Sequence, residues 1–438
     1  MQITGQSNGF VYGFDNANRL TSITLGGELV SFSYDTANRR QTLTLPNGVQ
    51  TIYGFDNANE LTGLTYKNSS GTTLGTLVYG YDSAGRRISQ TGSWSSNQLP
   101  AATTTDYSYN ADDQLTGGNG LAPIYDNEGQ LLQDGTGSTY NWNVRHQLTS
   151  IVHSGVTVAS FAYDGLGRRI RKTIAAATTG LLYDGINPIE EVQGSTYNNL
   201  LTGLGIDERF ARTDSPGRLY YLTDALGSTL VLTTSGAAVR QWYTYDPYGS
   251  YTAQMAGGAL NNPYYYTGRE DDQTGLYYFR ARYYNPKAGR FISEDPIGTQ
   301  GTPNVDTWFE GGQDRYAYAD ESPVEKSDPL GLCAPDKCKY YSDQCASSGG
   351  TDAYACAARK CCESFGDNPK SNCTRGCLID TDRANCAKLS GSARNHCRFN
   401  AHVKCYTICV NFQDLSKKPW TLPTCQDAMK GMGGAFGG

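Results

Sequence analysis

Residues 14–39, FDNANRLTSITLGGELVSFSYDTANR, contain the unit that decides the fold. An aromatic residue followed by Asp opens a short polar segment at Phe14–Asp15 and again at Tyr34–Asp35, and Asn stands three residues after each Asp. Asp at the first position of a turn accepts backbone N–H groups, and Asn or Gly three residues later tolerates positive φ. The segment Leu20–Leu25 has the Thr- and Leu-rich, alternating composition of a β-strand. Each unit is therefore predicted to form one β-hairpin.

This aromatic–Asx unit recurs through residues 1–290, mostly at intervals of 15–28 residues. The pairs are Phe14–Asp15, Tyr34–Asp35, Phe55–Asp56, Tyr81–Asp82, Tyr109–Asn110, Tyr125–Asp126, Tyr140–Asn141, Tyr163–Asp164, Tyr183–Asp184 and Tyr245–Asp246. Repeats of about 20 residues predict a stacked architecture, with the aromatic ring of each hairpin beside that of its neighbour. The Arg that follows several turns, such as Arg86 and Arg168, is expected to lie over an aromatic ring or to pair with Asp.

The composition excludes several classes of protein. The 438 residues carry a net charge of −6, only 18% of them are charged, and 32 are Tyr and 51 Gly. Such a chain is not a disordered acidic or basic tail, and no stretch has the roughly 18 apolar residues that a membrane helix requires. The start, MQITGQSNGF, has neither a basic nor an apolar signal segment, so we expect export by another route or a position at the end of a longer product.

The evidence for a family becomes specific in residues 220–332. The characteristic segments are Tyr220–Ser228 (YYLTDALGS), Tyr266–Glu270 (YTGRE), Thr274–Pro286 (TGLYYFRARYYNP), Gly289–Gly298 (GRFISEDPIG) and Asp328–Leu332 (DPLGL). Together with the upstream repeats, these segments resemble the Rhs/YD-repeat family over about 330 residues. The resemblance implies a spiral β-sheet that closes into a shell around a variable C-terminal domain, which is commonly a toxin.

We therefore predict a mainly β fold: a spiral or stacked sheet of antiparallel YD-repeat hairpins that forms a partial or full shell. The predicted domains are a YD-repeat region at 1–219, an Rhs-associated core at 220–332, and a small, mainly α, disulfide-rich domain with a helical hairpin at 333–438. The ten aromatic–Asx pairs are fewer than the repeats of full shells in the family, which keeps a partial shell open as an alternative.

Asp295 and Asp328 lie in two Asp-Pro motifs, and the resemblance implies that such a pair cuts the chain after the second motif, here after Leu332. Two neighbouring carboxylates do not both ionise readily, so one acts as an acid while the other activates water. Arg282, at the matching position in Arg-Ala-Arg-Tyr-Tyr, is expected to steady the charged partner or to polarise the scissile carbonyl. The alternative is structural, because Pro ends a strand and the preceding Asp caps a turn. The spacer between the motifs, which includes Gly301–Asp314, is longer than is usual in the family.

The C-terminal region differs from the rest in cysteine content and charge. All 13 cysteines lie between Cys333 and Cys425, a density that predicts a disulfide scaffold with one cysteine left over. Residues 333–438 carry 14 Lys and Arg against 9 Asp and Glu, so a tail of net charge +5 follows a body of net charge −11. A metal cluster in a reducing compartment is the alternative, although no Cys-x-x-Cys pair supports it.

Two Cys-x-x-x-Cys pairs in this tail each place their sulfurs on one helical face. In an antiparallel helical hairpin, facing residues have a constant sum of residue numbers, and this condition selects partners. The predicted disulfides are Cys373–Cys409, Cys377–Cys405 and, less regularly placed, Cys386–Cys397. The cysteines without an assigned partner are Cys333, Cys338, Cys345, Cys356, Cys361, Cys362 and Cys425. The tail shows no convincing active site, since His396 and His402 are its only histidines, and no cofactor or metal is predicted.

Two functions are compatible with these features. In the first, a secreted or cell-surface Rhs-type sheet carries, and releases after Leu332, a toxin-like effector domain whose partner is an immunity protein. In the second, YD-repeat sheets self-assemble into an extracellular fibre, coat or adhesin that contacts a neighbouring cell surface or carbohydrate, with a non-enzymatic tail. Both interpretations predict an extracellular or bacterial cell-surface location, where disulfides persist.

Overall fold

The computed structural model describes residues 9–95, 106–118, 120–214, 217–257, 260, 262–296 and 314–332. Within these ranges nearly every regular element is an antiparallel β-strand, and the strands form sheets of eight, fourteen, four and two members. The predicted mainly β fold of stacked hairpins is confirmed. Residues 333–438 lie outside the described part of the chain, and the predicted disulfides Cys373–Cys409, Cys377–Cys405 and Cys386–Cys397 lie there with them.

In each of the two large sheets, every strand pairs with the strands that precede and follow it in the chain. The N-terminal sheet contains β1 (Val11–Phe14), β2 (Leu20–Leu25), β3 (Glu28–Tyr34), β4 (Arg40–Thr44), β5 (Gln50–Phe55), β6 (Leu61–Lys67), β7 (Thr73–Tyr81) and β8 (Arg87–Thr91). The long sheet contains β11 (Ile124–Tyr125), β12 (Leu131–Gln133), β13 (Ser138–Trp142), β14 (Leu148–His153), β15 (Val156–Tyr163), β16 (Arg169–Ile174), β17 (Ala177–Asp184), β18 (Asn187–Gln193), β19 (Thr196–Thr202), β20 (Arg209–Asp214), β21 (Gly217–Thr223), β22 (Thr229–Thr233), β23 (Val239–Tyr245) and β24 (Tyr251–Met255).

Two smaller sheets and two short 3₁₀ turns complete the described elements. The two-stranded sheet pairs β9 (Ser108–Tyr109) with β10 (Leu115–Gly117), and the 3₁₀ turns are Tyr266–Gly268 and Ala319–Glu321. The core-motif sheet contains β25 (Glu270–Asp271), β26 (Tyr277–Phe279), β27 (Arg282–Asn285) and β28 (Arg290–Phe291). Most of this sheet is therefore built from the segment TGLYYFRARYYNP.

The repeat turns have the predicted chemistry. The Asp15 Oδ1 atom accepts the backbone N–H groups of Ala17 and Arg19, both at 2.9 Å, and Asn18 adopts a φ of +59°. A register shift between Gly13 and Phe14 places a β-bulge beside this turn. The side-chain carbonyl or carboxylate thus satisfies turn amides that no strand partner reaches, which is the reason Asp or Asn stands first in each unit.

One predicted turn was wrong by two residues. Tyr140 and Asn141 lie inside strand β13, and the turn begins instead at Asn143, whose Oδ1 atom accepts from the Arg145 and Gln147 N–H groups at 2.9 and 3.1 Å. Trp142 is therefore the aromatic residue that directly precedes this turn. Because Asn141 and Asn143 are both capable of the same turn chemistry, sequence spacing alone does not reveal which of them opens the turn.

Successive repeats contact each other through arginine. Arg19 pairs with Asp15 of its own turn, Nε to Oδ2 at 2.7 Å, while its guanidinium carbon lies 4.9 Å from the centre of the Tyr34 ring in the next repeat. Arg39 stands over the Phe55 ring in the same way, at 4.8 Å. Both predicted roles of this arginine, the ion pair and the stacking contact, therefore occur together.

The main hydrophobic core lies where the N-terminal sheet faces the middle of the long sheet. Phe32 and Phe210 meet edge to face with 5.7 Å between ring centres. The Tyr66 hydroxyl donates to the Thr223 carbonyl at 2.7 Å, and Asn47 Nδ2 donates to the Thr234 carbonyl at 2.9 Å. Packing of one face of each sheet on the other explains the alternation of buried and exposed residues along the strands.

The core-motif sheet packs through aromatic rings. Phe279 makes edge-to-face contacts with Tyr284, Phe291 and Tyr318, at ring-centre distances of 5.3–5.9 Å, and all four residues are at most 1% exposed. Such geometry adds to the free energy gained by burying the rings. This buried aromatic cluster lies beside Arg282, whose guanidinium carbon is 3.6 Å from the centre of the Phe291 ring.

Candidate functional site

The three residues of the predicted cleavage site come from separate elements. Arg282 is the first residue of β27, Asp295 follows β28, and Asp328 lies in the last described segment of the chain. A two-residue turn, Arg280–Ala281, joins β26 to β27 and pairs Phe279 with Arg282. The hairpin thus presents Arg282 where the two Asp-Pro segments meet.

The structure brings both aspartates onto the same arginine nitrogen. Arg282 Nη2 donates to Asp295 Oδ2 at 3.1 Å and to Asp328 Oδ2 at 3.2 Å. The three residues are 3%, 7% and 2% exposed, so this is a buried group of two carboxylates and one cation. The guanidinium offsets part of the repulsion between the carboxylates, which lets them lie close together away from water.

The other two guanidinium nitrogens of Arg282 bind backbone carbonyls. Its Nε donates to the Gly331 carbonyl at 2.7 Å, and its Nη1 donates to the Arg315 carbonyl at 3.2 Å. The guanidinium carbon lies 3.6 Å from the centre of the Phe291 ring, within stacking distance. Sequence reasoning misses Phe291 and Arg315, since neither has a side chain that suggests cleavage chemistry and Arg315 contributes only its carbonyl.

The segment that ends at the predicted cleavage position is held against Asp328. The Leu332 N–H donates to Asp328 Oδ1 at 3.0 Å, and the Gly331 N–H donates to the Asp328 carbonyl at 3.1 Å. Asp328 therefore caps a turn, as the structural alternative expects, and also lies within hydrogen-bonding distance of the residue whose carbonyl would be attacked. The peptide bond to Cys333 lies outside the described residues.

Gly331 is required by both conformation and space. Its φ of +65° lies in the left-handed region that disfavours residues with a Cβ atom. A Cβ atom added there would stand 2.5 Å from the Phe279 carbonyl oxygen. The glycine of the DPLGL segment is thus the residue that lets the chain lie directly against the β26–β27 hairpin.

A second buried cluster joins the long sheet to the core-motif sheet. The Arg169 guanidinium, which is fully buried on β16, contacts the carboxylates of Glu270 and Asp272, and Lys172 Nζ lies 3.1 Å from each of them. Burial by itself raises the pKa of Glu270, but the cations of Arg169 and Lys172 outweigh it and hold that pKa well below its usual range. The cluster pairs two cations of the long sheet with two anions of the core-motif region, so it links side chains of the two.

Neither a metal-binding group of side chains nor a helix suited to crossing a membrane occurs among the described residues. Among them, no group of three or more His, Cys, Asp or Glu side chains is arranged to hold a metal ion. In the same part of the chain, no helix is both long enough and apolar enough to cross a bilayer.

Two family models match this chain. A family model described as Teneurin YD-shell matches residues 49–324, more than half of the chain, and one described as RHS Repeat matches residues 14–50. The chain belongs to the teneurin YD-shell family. The predicted Rhs/YD-repeat resemblance is thereby confirmed, and the matched range includes both the repeats and the Arg282–Asp295 part of the site.

Relatives of this YD-shell chain include toxins. It is 31% identical over 265 residues to the tRNA3(Ser)-specific nuclease WapA of Bacillus spizizenii, which covers 59% of this chain and 11% of that protein. It is 28% identical over 315 residues to double-stranded DNA deaminase toxin A of Burkholderia cenocepacia, which covers 60% of this chain and 21% of that protein. The YD-shell chain thus spans between about a tenth and a fifth of the length of these relatives.

A solved structure shares the fold of the YD-shell chain. The crystal structure of TcdB2-TccC3-Cdc42 matches with a TM-score of 0.55 and 21% sequence identity, and the match covers 75% of this chain and 21% of that one. At this identity the likeness supports the fold alone.

Proposed function

We propose that this protein is an Rhs-type carrier that cuts its own chain after Leu332 and so frees residues 333–438. The observation that carries the proposal is the single Arg282 Nη2 atom that contacts both Asp295 and Asp328, at 3.1 and 3.2 Å. Asp328 also accepts from the Leu332 N–H at 3.0 Å, so one carboxylate of the pair contacts the residue that precedes the proposed cut.

The proposed reaction is hydrolysis of the Leu332–Cys333 peptide bond. One carboxylate removes a proton from water, whose oxygen adds to the Leu332 carbonyl carbon. The other carboxyl group gives its proton to the leaving nitrogen as the C–N bond breaks, which leaves a Leu332 carboxylate and a new amino terminus at Cys333. Arg282 keeps the two carboxyl groups in place throughout, since its stacking on Phe291 and its bonds to two backbone carbonyls fix its orientation.

The part of the chain that is freed is proposed to act as a toxin-like effector. This proposal is supported by the toxins among the relatives and by the change in cysteine content and charge after Leu332. The same proposal includes release outside the producing cell, either at its surface or after secretion. It also includes an immunity protein that neutralises the tail. Its predicted disulfides suit an oxidising exterior.

The decisive experiment is intact-mass spectrometry of the purified protein. We expect two species in the wild type, residues 1–332 and 333–438, and one uncut species in Asp328→Asn and in Asp295→Asn. The matched control is Asp126→Asn in a repeat turn, where Asn retains the Oδ1 acceptor for the Gln130 N–H and cleavage should proceed as in the wild type. A wild-type chain that stays intact, with Asp328→Asn identical to it, would overturn the proposal and favour the extracellular structural alternative.

Thiol counting tests the proposed state of the tail. If it is oxidised as proposed, titration of the denatured, unreduced protein should find about one free thiol among the 13 cysteines, because an odd number cannot pair completely. Thirteen free thiols would contradict the oxidised scaffold. Peptide mapping under the same conditions would then test Cys373–Cys409 and Cys377–Cys405 directly.

A further inference from the structure

The tip of the β26–β27 hairpin binds three successive carbonyl groups of the segment to be cut. The Arg280 Nη1 atom donates to the Pro329 carbonyl, the Ala281 N–H donates to the Leu330 carbonyl at 3.1 Å, and Arg282 Nε donates to the Gly331 carbonyl at 2.7 Å. Consecutive donors of the turn thus match consecutive acceptors of the segment. We call these three contacts the backbone clamp.

Arg280 is itself held from the long sheet. The Asp207 carboxylate, in the loop between β19 and β20, accepts two hydrogen bonds from Arg280. Arg280 Nη1 donates to Oδ2 and Arg280 Nη2 donates to Oδ1, both at 2.8 Å. Arg269 Nη1 donates to the same Asp207 Oδ1 atom at 2.6 Å. Burial of Asp207 by itself raises its pKa, but the two guanidinium groups outweigh burial and lower that pKa. Asp207 is therefore a charged anchor for the Arg280 side chain.

The backbone of Arg280 is also constrained. Its φ is +59°, a left-handed conformation that residues with a Cβ atom rarely adopt. Such a conformation persists when surrounding contacts over-determine it. At Arg280 those contacts are the bidentate Asp207 pair and the Phe279–Arg282 strand pairing that closes the turn.

We infer that Arg280, anchored by Asp207, is a positioning residue for the proposed cleavage. Through the Pro329 carbonyl it fixes the Pro329–Leu330 peptide, one residue beyond Asp328, and the backbone clamp then sets the Asp328 carboxylate against Arg282. The inference rests on the proposed self-cleavage. All three acceptors are main-chain carbonyls, so the clamp recognises the path of the backbone and not the side chains. Among the residues of the bound segment, mainly Gly331 is restricted in identity.

The expected effect is on the rate of cleavage more than on folding. A misplacement of about 1 Å in a reacting group can slow a reaction roughly 100-fold. We therefore expect Arg280→Ala to slow cleavage about 10- to 100-fold while the protein stays folded. Arg280→Lys should recover part of the rate, since one ammonium can reach the carbonyl or the carboxylate but cannot replace the fork of donors.

The experiment follows intact mass over time in full-length wild type, Arg280→Ala, Arg280→Lys, Asp207→Ala and the Asp207→Ala/Arg280→Ala double variant. The matched control is Arg40→Ala, because Arg40 makes a comparable ion pair with Glu208, the neighbour of Asp207, at 2.6 Å. Amide hydrogen exchange in Asp328→Asn, which cannot cut itself, is compared with and without Arg280→Ala. We expect exchange at Gly331 and Leu332 to rise at least tenfold, with exchange in β26 and β27 unchanged.

The outcomes separate this inference from the proposed function. If wild type cuts and Asp328→Asn does not, yet Arg280→Ala cuts at the wild-type rate, self-cleavage stands and the positioning role is overturned. If Asp207→Ala and Arg280→Ala slow cleavage and their effects do not add in the double variant, the anchored clamp is supported. Equal slowing by Arg40→Ala, or unchanged exchange at Gly331 and Leu332, would overturn it. A wild type that never cuts overturns both.

Discussion

The repeat turns and the core-motif sheet both use arginine–carboxylate pairs, but under opposite conditions. In the repeat turns, Arg19 and Arg39 pair with an Asp four residues earlier and remain partly open to water. In the buried cluster, Arg169 of the long sheet is fully buried and contacts carboxylates of the core-motif region about a hundred residues away in sequence. A partly exposed pair contributes little and is replaceable, whereas removing one member of a buried cluster leaves uncompensated charge. The ion pairs of the repeat turns should thus tolerate substitutions that the buried cluster does not.

The largest expected effect comes from removing the cation at the centre of the buried cluster. Arg169→Met should destabilise the protein by about 3–5 kcal/mol, because Glu270 and Asp272 stay buried after losing one of the two cations that pair with both of them. Equilibrium urea unfolding measures this difference. Arg86→Met, which breaks an exposed turn pair with Asp82, is the control and should leave the midpoint nearly unchanged. Similar shifts in both variants would contradict the distinction drawn between the two regions.

A glycine substitution extends the comparison to the backbone. Gly331→Ala combines a positive φ with a Cβ placed 2.5 Å from the Phe279 carbonyl oxygen, so the segment must move away from the hairpin. If the chain cuts itself as proposed, we expect cleavage to slow by about 100-fold. The control is Gly194→Ala, which has a similar φ of +60° but no heavy atom within 4 Å of the added Cβ outside its chain neighbours. Equal cleavage rates in the two variants would show that close approach at Gly331 is unimportant.

Lowering the pH should reduce the free energy of unfolding through Glu270 of the buried cluster. Its pKa is lowered in the folded protein, so its contribution is fully present above the unfolded value, near 4.5, and is lost as the pH falls towards the folded value. The unfolding free energy of the wild type should therefore decrease below about pH 5. Glu270→Gln should be less stable at pH 7 but should lose less on acidification. Parallel stability curves for the two proteins between pH 7 and pH 3 would argue against this contribution.

The smallest expected effect is an increase in thermal stability from a substitution in a repeat turn. Glu60 occupies the position held by Arg19 and Arg39 in neighbouring turns, and it lies beside the Asp56 carboxylate. Glu60→Arg should restore the ion pair and slightly raise Tm in about 0.01 M salt, with the gain lost in about 1 M salt, where exposed charges are screened. Glu60→Gln removes only the repulsion and should give a smaller gain. A gain for Glu60→Arg that survives high salt would point to packing instead.

Sequence reasoning succeeded where the determining contacts are local. Asp15 and Asn18 satisfy their own turn within four residues, so their spacing is sufficient to predict it. It failed at Tyr140–Asn141, where two Asx residues, Asn141 and Asn143, suit the turn and the structure places it at Asn143. At the site, family resemblance supplied Arg282, Asp295 and Asp328, but the roles of Phe291, Arg280 and Asp207 carry no local signal. Cleavage itself stays a prediction.

The amino-acid sequence determined the hairpin units, their order and their antiparallel pairing, because each turn is closed by side chains within a few residues. Only the tertiary structure decided which repeat faces which, and how Asp207 reaches Arg280 from 73 residues away. It also decided that two Asp-Pro segments meet on one guanidinium. Contacts between distant residues depend on how complete sheets pack, and that packing follows from the summed burial of many side chains, none of which specifies it alone.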